Sequence, residues 1–232
     1  MSFSRGLAVF LFLSWALVVL YPDPTVLVQS ARNILYPEAD AAAAAELAAA
    51  LPADPREIET EVLRRMPYAT DWEVQGVPWQ FPTAAQALSE GRGDCEARAV
   101  VLMSVLEAKG IPHELRNSFN HMWVDYPGKV PTAIENDALV LADRGGGGFR
   151  LRLPDDFDLS REIESKIALF WDPMPWERRI LLPAGLLLLA AGMNLAAANG
   201  ALRARPGQVR PDGIRPGRPS RRRDLRRASA RV

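Results

Sequence analysis

The chain has 232 residues, with 28 Lys plus Arg against 28 Asp plus Glu, one cysteine and two histidines, a length that suggests one main domain with additions. One cysteine excludes an intrachain disulfide framework and, with only two histidines, the Cys-rich structural zinc sites; a hydrophobic share of 48% excludes wholesale disorder. The zero net charge is a cancellation between blocks: Tyr21 to Arg179 holds 16 basic against 26 acidic residues, a net of −10, Gly200 to Val232 holds 11 arginines against Asp212 and Asp224, a net of +9, and Arg5 supplies the remaining +1.

The first block, Leu7 to Leu20, carries no charge and, extended towards Val28, approaches the roughly 20 residues that span a bilayer. Residues 1–28 are expected to form an uncleaved transmembrane anchor. The alternative is a signal peptide, against which stands Tyr21-Pro22-Asp23-Pro24, where a small-x-small cleavage site would be needed. Residues 29–158 then make the acidic main domain. Within it, alanine-rich Pro37 to Leu51 reads as a helix by propensity. Asp54-Pro55-Arg56-Glu57 has the form of a capped helix start, opening a helix to about Met66. Residues 67 to 82, broken by Pro67, Gly76, Pro78 and Pro82, read as a loop plugged by Trp72 and Trp79. Thr83 with Gln86 caps a short helix to about Leu88.

Gly91-Arg92-Gly93-Asp94-Cys95 is the sharpest local feature. A glycine-rich turn delivers Asp94 as an N-cap and puts Cys95 in the first turn of a helix over about 95–109, with apolar positions at Ala97, Val100, Val101, Val105 and Ala108; Gly110 and Pro112 stop it. A helix N-terminus offers free N–H groups and a positive dipole end, which favour a thiolate, so Cys95 sits where a nucleophile would; the plain alternative is a small buried hydrophobe. Residues 113–126 read as one or two strands, with His121, Trp123 and Asp125 on one face. Asp125 lies roughly 13 Å along the strand from His121 at about 3.3 Å per residue, too far to orient its ring. After the Pro127-Gly128-Lys129 turn, the stretch 135–141 reads as a further strand that offers Asp137, with Asn136 as the alternative, beside His121.

Residues 159–179 form an amphipathic juxtamembrane segment, with Leu159, Ile163, Ile167 and Phe170 on one side. Residues 180–199 are the second expected transmembrane helix, preceded by Trp171 and Trp176 placed as interfacial anchors. Residues 200–232 are an Arg-rich tail with interleaved Pro and Gly, read as disordered and cytoplasmic by the positive-inside rule. With no aromatic residue to stack bases, the tail is assigned to anionic lipid and no nucleic-acid partner is expected.

Trp79-Gln80-Phe81-Pro82-Thr83, Gly91-Arg92-Gly93-Asp94-Cys95-Glu96, Ala108-Lys109-Gly110-Ile111-Pro112 and His121-Met122-Trp123-Val124, with an acid about 16 residues on, together resemble the transglutaminase-like superfamily, close to its bacterial cysteine proteinase branch, over about residues 55–145. The resemblance implies an α+β fold: a papain-like, transglutaminase-like core with a Cys-bearing helix on a small antiparallel sheet, here flanked by two transmembrane helices. It implies acyl transfer on a peptide or amide bond of a protein or peptide substrate through a thioester. Cys95 would be the nucleophile, His121 the base, Asp137 or Asn136 the orienting group. The Cys95 N–H with the Trp79-Gln80 loop would supply oxyanion or substrate contacts beside Asp94. Ala97 stands where calcium-binding relatives carry a second acid, so no metal and no cofactor are expected. The expected setting is a bacterial inner membrane crossed twice, with the domain outside and both termini cytoplasmic. The competing reading is a catalytically inactive module of the same fold, tethered to bind a partner.

Overall fold

The computed structural model describes residues 2–118, 121–132, 135, 142–145, 148–151 and 159–203. It is an α+β arrangement in which one helix, Cys95–Ala108, is surrounded by shorter helices and a small antiparallel sheet. Two units separate at residue 191. The first, Met1–Ala191, holds every described element except the last part of the helix Trp176–Arg203, and of the second the described residues are that helical end.

Helix α1 covers Ser2–Leu20 and α2 covers Pro24–Leu35. The sequence allowed the first apolar run to extend towards Val28 as one span. Instead the chain bends through 86° between them, because Pro22 and Pro24 lack the N–H a continuous helix needs. Asp23 caps the new helix by accepting from the Thr25 N–H at 2.9 Å, with Pro24 at its first turn. The alanine-rich stretch forms helix α3 only over Ala45–Ala49, shorter than its propensity suggests. Helix α4, Pro55–Arg65, starts where expected, with the Asp54 carboxylate accepting from the Arg56 and Glu57 N–H groups. Inside the expected loop, a single turn, α5 (Asp71–Val74), buries Trp72. Helix α6, Ala84–Glu90, carries the capping box of Thr83 with Gln86 and ends on Gly91 at φ 65°, a left-handed cap that glycine adopts freely.

Helix α7 spans Cys95–Ala108. From Ala97 to Leu106 all but the half-buried Arg98 are buried, so the apolar positions expected from the sequence belong to a helix covered well beyond one face, against α3, α4, α6 and the sheet; Ala108 lies beyond this and is exposed. Gly93 precedes it for a steric reason: a Cβ there would stand 2.4 Å from the Ala97 Cβ. The Gly93 backbone also donates to Pro67 O and accepts from Ala69 N, fastening the 67–69 segment beside the helix start.

Strands β1 (Glu114–Asn117) and β2 (Met122–Asp125) form the expected antiparallel pair, with Leu115 opposite Val124 and Asn117 opposite Met122. Strands β3 (Ala142–Gly145) and β4 (Gly148–Leu151) complete a four-stranded sheet of order β2-β1-β3-β4. The expected strand over 135–141 falls, apart from Glu135, outside the described residues, as does the tail from 204 on.

Helix α8 covers Leu159–Trp171 and α9 covers Trp176–Arg203, with Pro183 inside it. Over Trp176–Ala196, α9 is long and apolar enough to cross a membrane, and its side chains are nearly all exposed. The N-terminal expected span is less simple: Gly6–Leu20 of α1 reaches that length together with α2, across the 86° bend. The Trp15 indole of α1 donates to Leu181 O of α9 at 3.0 Å. It lies over Gly185, where a Cβ would fall 1.9 Å from Nε1, so a small residue lets the two helices approach.

Candidate active site

Asp94 and Cys95 are delivered together. The Asp94 carboxylate accepts from the N–H groups of Glu96 and Ala97 at 3.1 and 3.2 Å, which holds the first turn of α7 and leaves Cys95 half-buried at its start. His121 sits just ahead of β2. Its backbone N–H donates to Ser118 Oγ at 3.1 Å and its carbonyl accepts from Ser118 N at 2.7 Å, so Ser118 closes the turn between β1 and β2. The imidazole stacks on the Trp123 ring, centroids 5.8 Å apart and planes 12° apart, in keeping with two positions on one strand face.

Cys95, His121, Asp94 and Trp79 all line one cleft of about 800 Å³. Asp71 and Glu96 add two further carboxyls, and Tyr21, Tyr68, Trp72, Phe170 and Trp171 supply aromatic walls. Gln80 is placed otherwise: its buried side chain lines a separate, smaller pocket with Asp71, Gly93 and Ala97. There its Oε1 has no hydrogen-bond partner among the described residues, while its backbone N–H donates to Asp71 Oδ2 at 2.7 Å. The carbonyls on either side of that N–H are held too, Trp79 O by the Tyr21 hydroxyl at 3.0 Å and Phe81 O by Asn33 Nδ2 at 2.9 Å. The buried Ser30 hydroxyl accepts from Phe81 N at 3.0 Å. The elbow between α1 and α2 is therefore pinned to the loop that carries Trp79.

The electrostatics of Cys95 oppose the simple helix-terminus expectation. Its thiol donates to Glu96 Oε2 at 2.9 Å, and burial together with the Glu96 and Asp94 carboxyls pushes the thiol well above the ordinary range. Burial is the largest cause, and Asp94 already takes the two N–H groups that would have favoured a thiolate. The Met122 backbone N–H works the other way, lowering the thiol by a hydrogen bond. Asp94 itself is pushed up to about 10 by burial and by Glu96 and Asp71, and Asp71 to about 7 chiefly by burial. Crowded acids of this kind share protons.

His121 is shifted below its usual value, first by burial, with Lys129 adding to the effect and the carboxylates of Glu135 and Glu96 opposing it. Neither ring nitrogen has a hydrogen-bond partner among the described residues. Asp137 and Asn136, the two candidates for orienting the ring, lie outside the described residues. Glu135, which the sequence reading passed over, is described and buried. It accepts from Lys129 Nζ at 2.9 Å and from Thr132 N at 2.9 Å, and its charge is felt at His121. Lys129 also donates to Glu59 at 2.7 Å, and the Tyr126 hydroxyl to the same carboxylate at 2.5 Å. The signal that could have found Glu135 is its spacing of three from Thr132, a side chain closing back onto the turn's N–H.

Among the described residues, Asp94, Cys95 and Glu96 are the group whose ligand atoms fall within 4.8 Å of one another. Their lone pairs are largely committed to the helix cap and the thiol. A comparison of the chain with protein-family models, with characterised proteins and with solved structures finds no match in any of the three.

Proposed function

We propose that the protein is a membrane-anchored, transglutaminase-like cysteine hydrolase or transferase that acts on an amide bond outside the cytoplasm. The observation that carries this reading is the convergence of Cys95, at the start of the central helix, and His121, at the start of β2, on one roomy cleft. At neutral pH both begin uncharged, the thiol because it is pushed up and the imidazole because it is pushed down. His121 therefore acts as general base at the moment of attack rather than as half of a preformed ion pair. It takes the thiol proton as the sulfur bonds to the carbonyl carbon; the C–N bond then breaks and the amine leaves with that proton. Water, or an acceptor amine in a transferase, next attacks the thioester and releases Cys95 as thiol. The Cys95 backbone N–H is the candidate donor to the oxyanion. Glu135, or Asp137 or Asn136, orients the imidazole.

The membrane part of the reading is supported by the long apolar α9, the apolar α1 and the Arg-rich tail; by the positive-inside rule the proposed topology has both termini on the cytoplasmic side of a bacterial inner membrane. A tethered module without catalysis is the second reading, and the hydrogen bond from Cys95 to Glu96 is the observation on its side. Steady-state hydrolysis of a panel of peptide p-nitroanilides and p-nitrophenyl esters by the full-length protein decides between them. Turnover that disappears in Cys95→Ala and falls by at least ~100-fold in His121→Ala supports the hydrolase; turnover unaffected by either change, or none on any substrate, leaves the module.

A further inference from the structure

The cleft has two unlike parts. Its less exposed part is polar and holds Cys95, His121, Asp71, Asp94 and Glu96. Its mouth is apolar and unusually open to solvent: Ile34 of α2 is 37% exposed, and Ile163, Ile167, Leu169 and Trp171 of α8 are 45%, 59%, 46% and 41% exposed. Large aliphatic side chains gathered at a rim in this way mark a surface made to be covered.

The mouth is built from the ends of the membrane-directed elements. Leu20 and Tyr21, where α1 ends, are themselves cleft wall. Helix α8 runs through Trp171 and one turn into α9 at Trp176. These pieces are fixed to the domain: the Trp72 indole donates to Phe170 O at 2.9 Å, and Arg178, stacked 5.2 Å over the Trp72 ring, donates to Leu20 O at 3.1 Å. The apolar rim thus adjoins the end of α1 directly, through Leu20 and Tyr21, and is joined to α9 through a short charged junction of Asp172, Glu177, Arg178 and Arg179, of which Arg178 is turned inward. Charge selects among amphiphiles. Among the described residues the cleft lining contains three carboxyls and neither Lys nor Arg, so a phosphate headgroup finds no cation to receive it.

We infer that the cleft takes its substrate from the membrane surface, and that this substrate is an N-acylated peptide whose acyl chain lies on the wall of Ile34, Ile163, Ile167, Leu169 and Trp171 while a neutral or cationic peptide head reaches Cys95. This rests on the membrane-anchored hydrolase reading and names its substrate class. Each methylene buried on the wall is worth about fourfold in affinity, so a long chain dominates recognition.

The test is photo-crosslinking with full-length Cys95→Ala protein in phosphatidylcholine nanodiscs, which needs no turnover. The probe is a palmitoylated Gly-Lys peptide with a diazirine at the end of its chain; a diazirine phosphatidic acid is the control. Adducts concentrated between residues 159 and 171 and at Ile34, competed by unlabelled lipopeptide and reduced at least ~tenfold by Ile167→Asp or Ile163→Asp, are expected. Both positions are solvent-exposed, so the variants leave the core intact. Adducts spread over the outer faces of α1 and α9 in the pattern of the phosphatidic acid control, or indifferent to both variants, overturn the inference. Crosslinking at the wall in a protein whose wild type turns over no amide would instead remove the hydrolase reading and leave the binding site standing.

Discussion

The thiol of Cys95 is hydrogen-bonded to the carboxylate of the next residue, Glu96, at 2.9 Å, so at rest it is held by an acid rather than by the imidazole across the cleft. Together with burial, this pairing keeps a helix-start cysteine protonated, so the proposed chemistry needs a base. Glu96→Gln removes the negative charge while keeping an acceptor near the sulfur. The thiolate is then less disfavoured, so the pH midpoint of iodoacetamide alkylation at Cys95 moves down in the variant. In the wild type that midpoint stands above the ordinary thiol value of about 8.5. An unchanged midpoint would show that Glu96 does not govern the thiol.

The imidazole has the opposite displacement. Burial lowers His121, and the base form is the working form, so the acid limb of kcat/KM against pH reports a value below the ordinary histidine figure of about 6.5. Lys129→Met removes a positive charge that lowers His121, so in that variant the limb moves up, towards neutral pH. A limb that stays in place would detach Lys129 and its partner Glu135 from the imidazole.

Lys129 also has a structural burden. Its side chain is 2% exposed and bridges Glu59 and Glu135, with Tyr126 hydrogen-bonded to the same Glu59. Lys129→Met strands two carboxylates around an apolar tip, and breaking one partner of such a buried set costs about 3–5 kcal/mol. Chemical denaturation in detergent reads the loss, and the triple replacement Lys129→Met, Glu59→Gln, Glu135→Gln recovers most of it.

Gly93 is fixed by contact rather than by dihedral angle. Gly93→Ala sets a methyl group 2.4 Å from the Ala97 Cβ, which forces α7 away from the 67–69 segment at a cost of about 1–3 kcal/mol. Ala97→Gly in the same chain relieves the clash. A double variant no more stable than Gly93→Ala alone would show that the crowding arises elsewhere.

What the sequence made legible follows the range of the forces involved. Local signals were readable: the Asp54-Pro55 and Thr83-Gln86 caps, the Gly91 stop and the Asp94-Cys95 helix start are each set by a few neighbouring residues, and each is found in place. The β1 and β2 pairing was readable because Gly110-Ile111-Pro112 isolates the strands. Four features were not. The apolar run suggested one span towards Val28, whereas two prolines around an N-capping Asp23 restart a helix in a new direction. The proton state of Cys95 depends on Glu96, Asp94 and Asp71 meeting in one buried place, and Asp71 comes from a separate turn, so helix polarity alone gave the opposite sign. Gln80, read as an oxyanion contact, faces the smaller pocket because its own N–H is taken by Asp71. Glu135 reaches the His121 environment through Lys129, a contact that sequence spacing does not encode.

The central claim is that Cys95 is an acylated nucleophile activated by His121, and the most direct measurement is intact mass of the full-length protein after brief exposure to p-nitrophenyl acetate at neutral pH. The account predicts one acetyl group, mapped to Cys95 and released by hydroxylamine, absent from Cys95→Ala, and formed at least ~100-fold more slowly in His121→Ala. An acetyl group that forms at the same rate without the imidazole, or that never maps to Cys95, would contradict it.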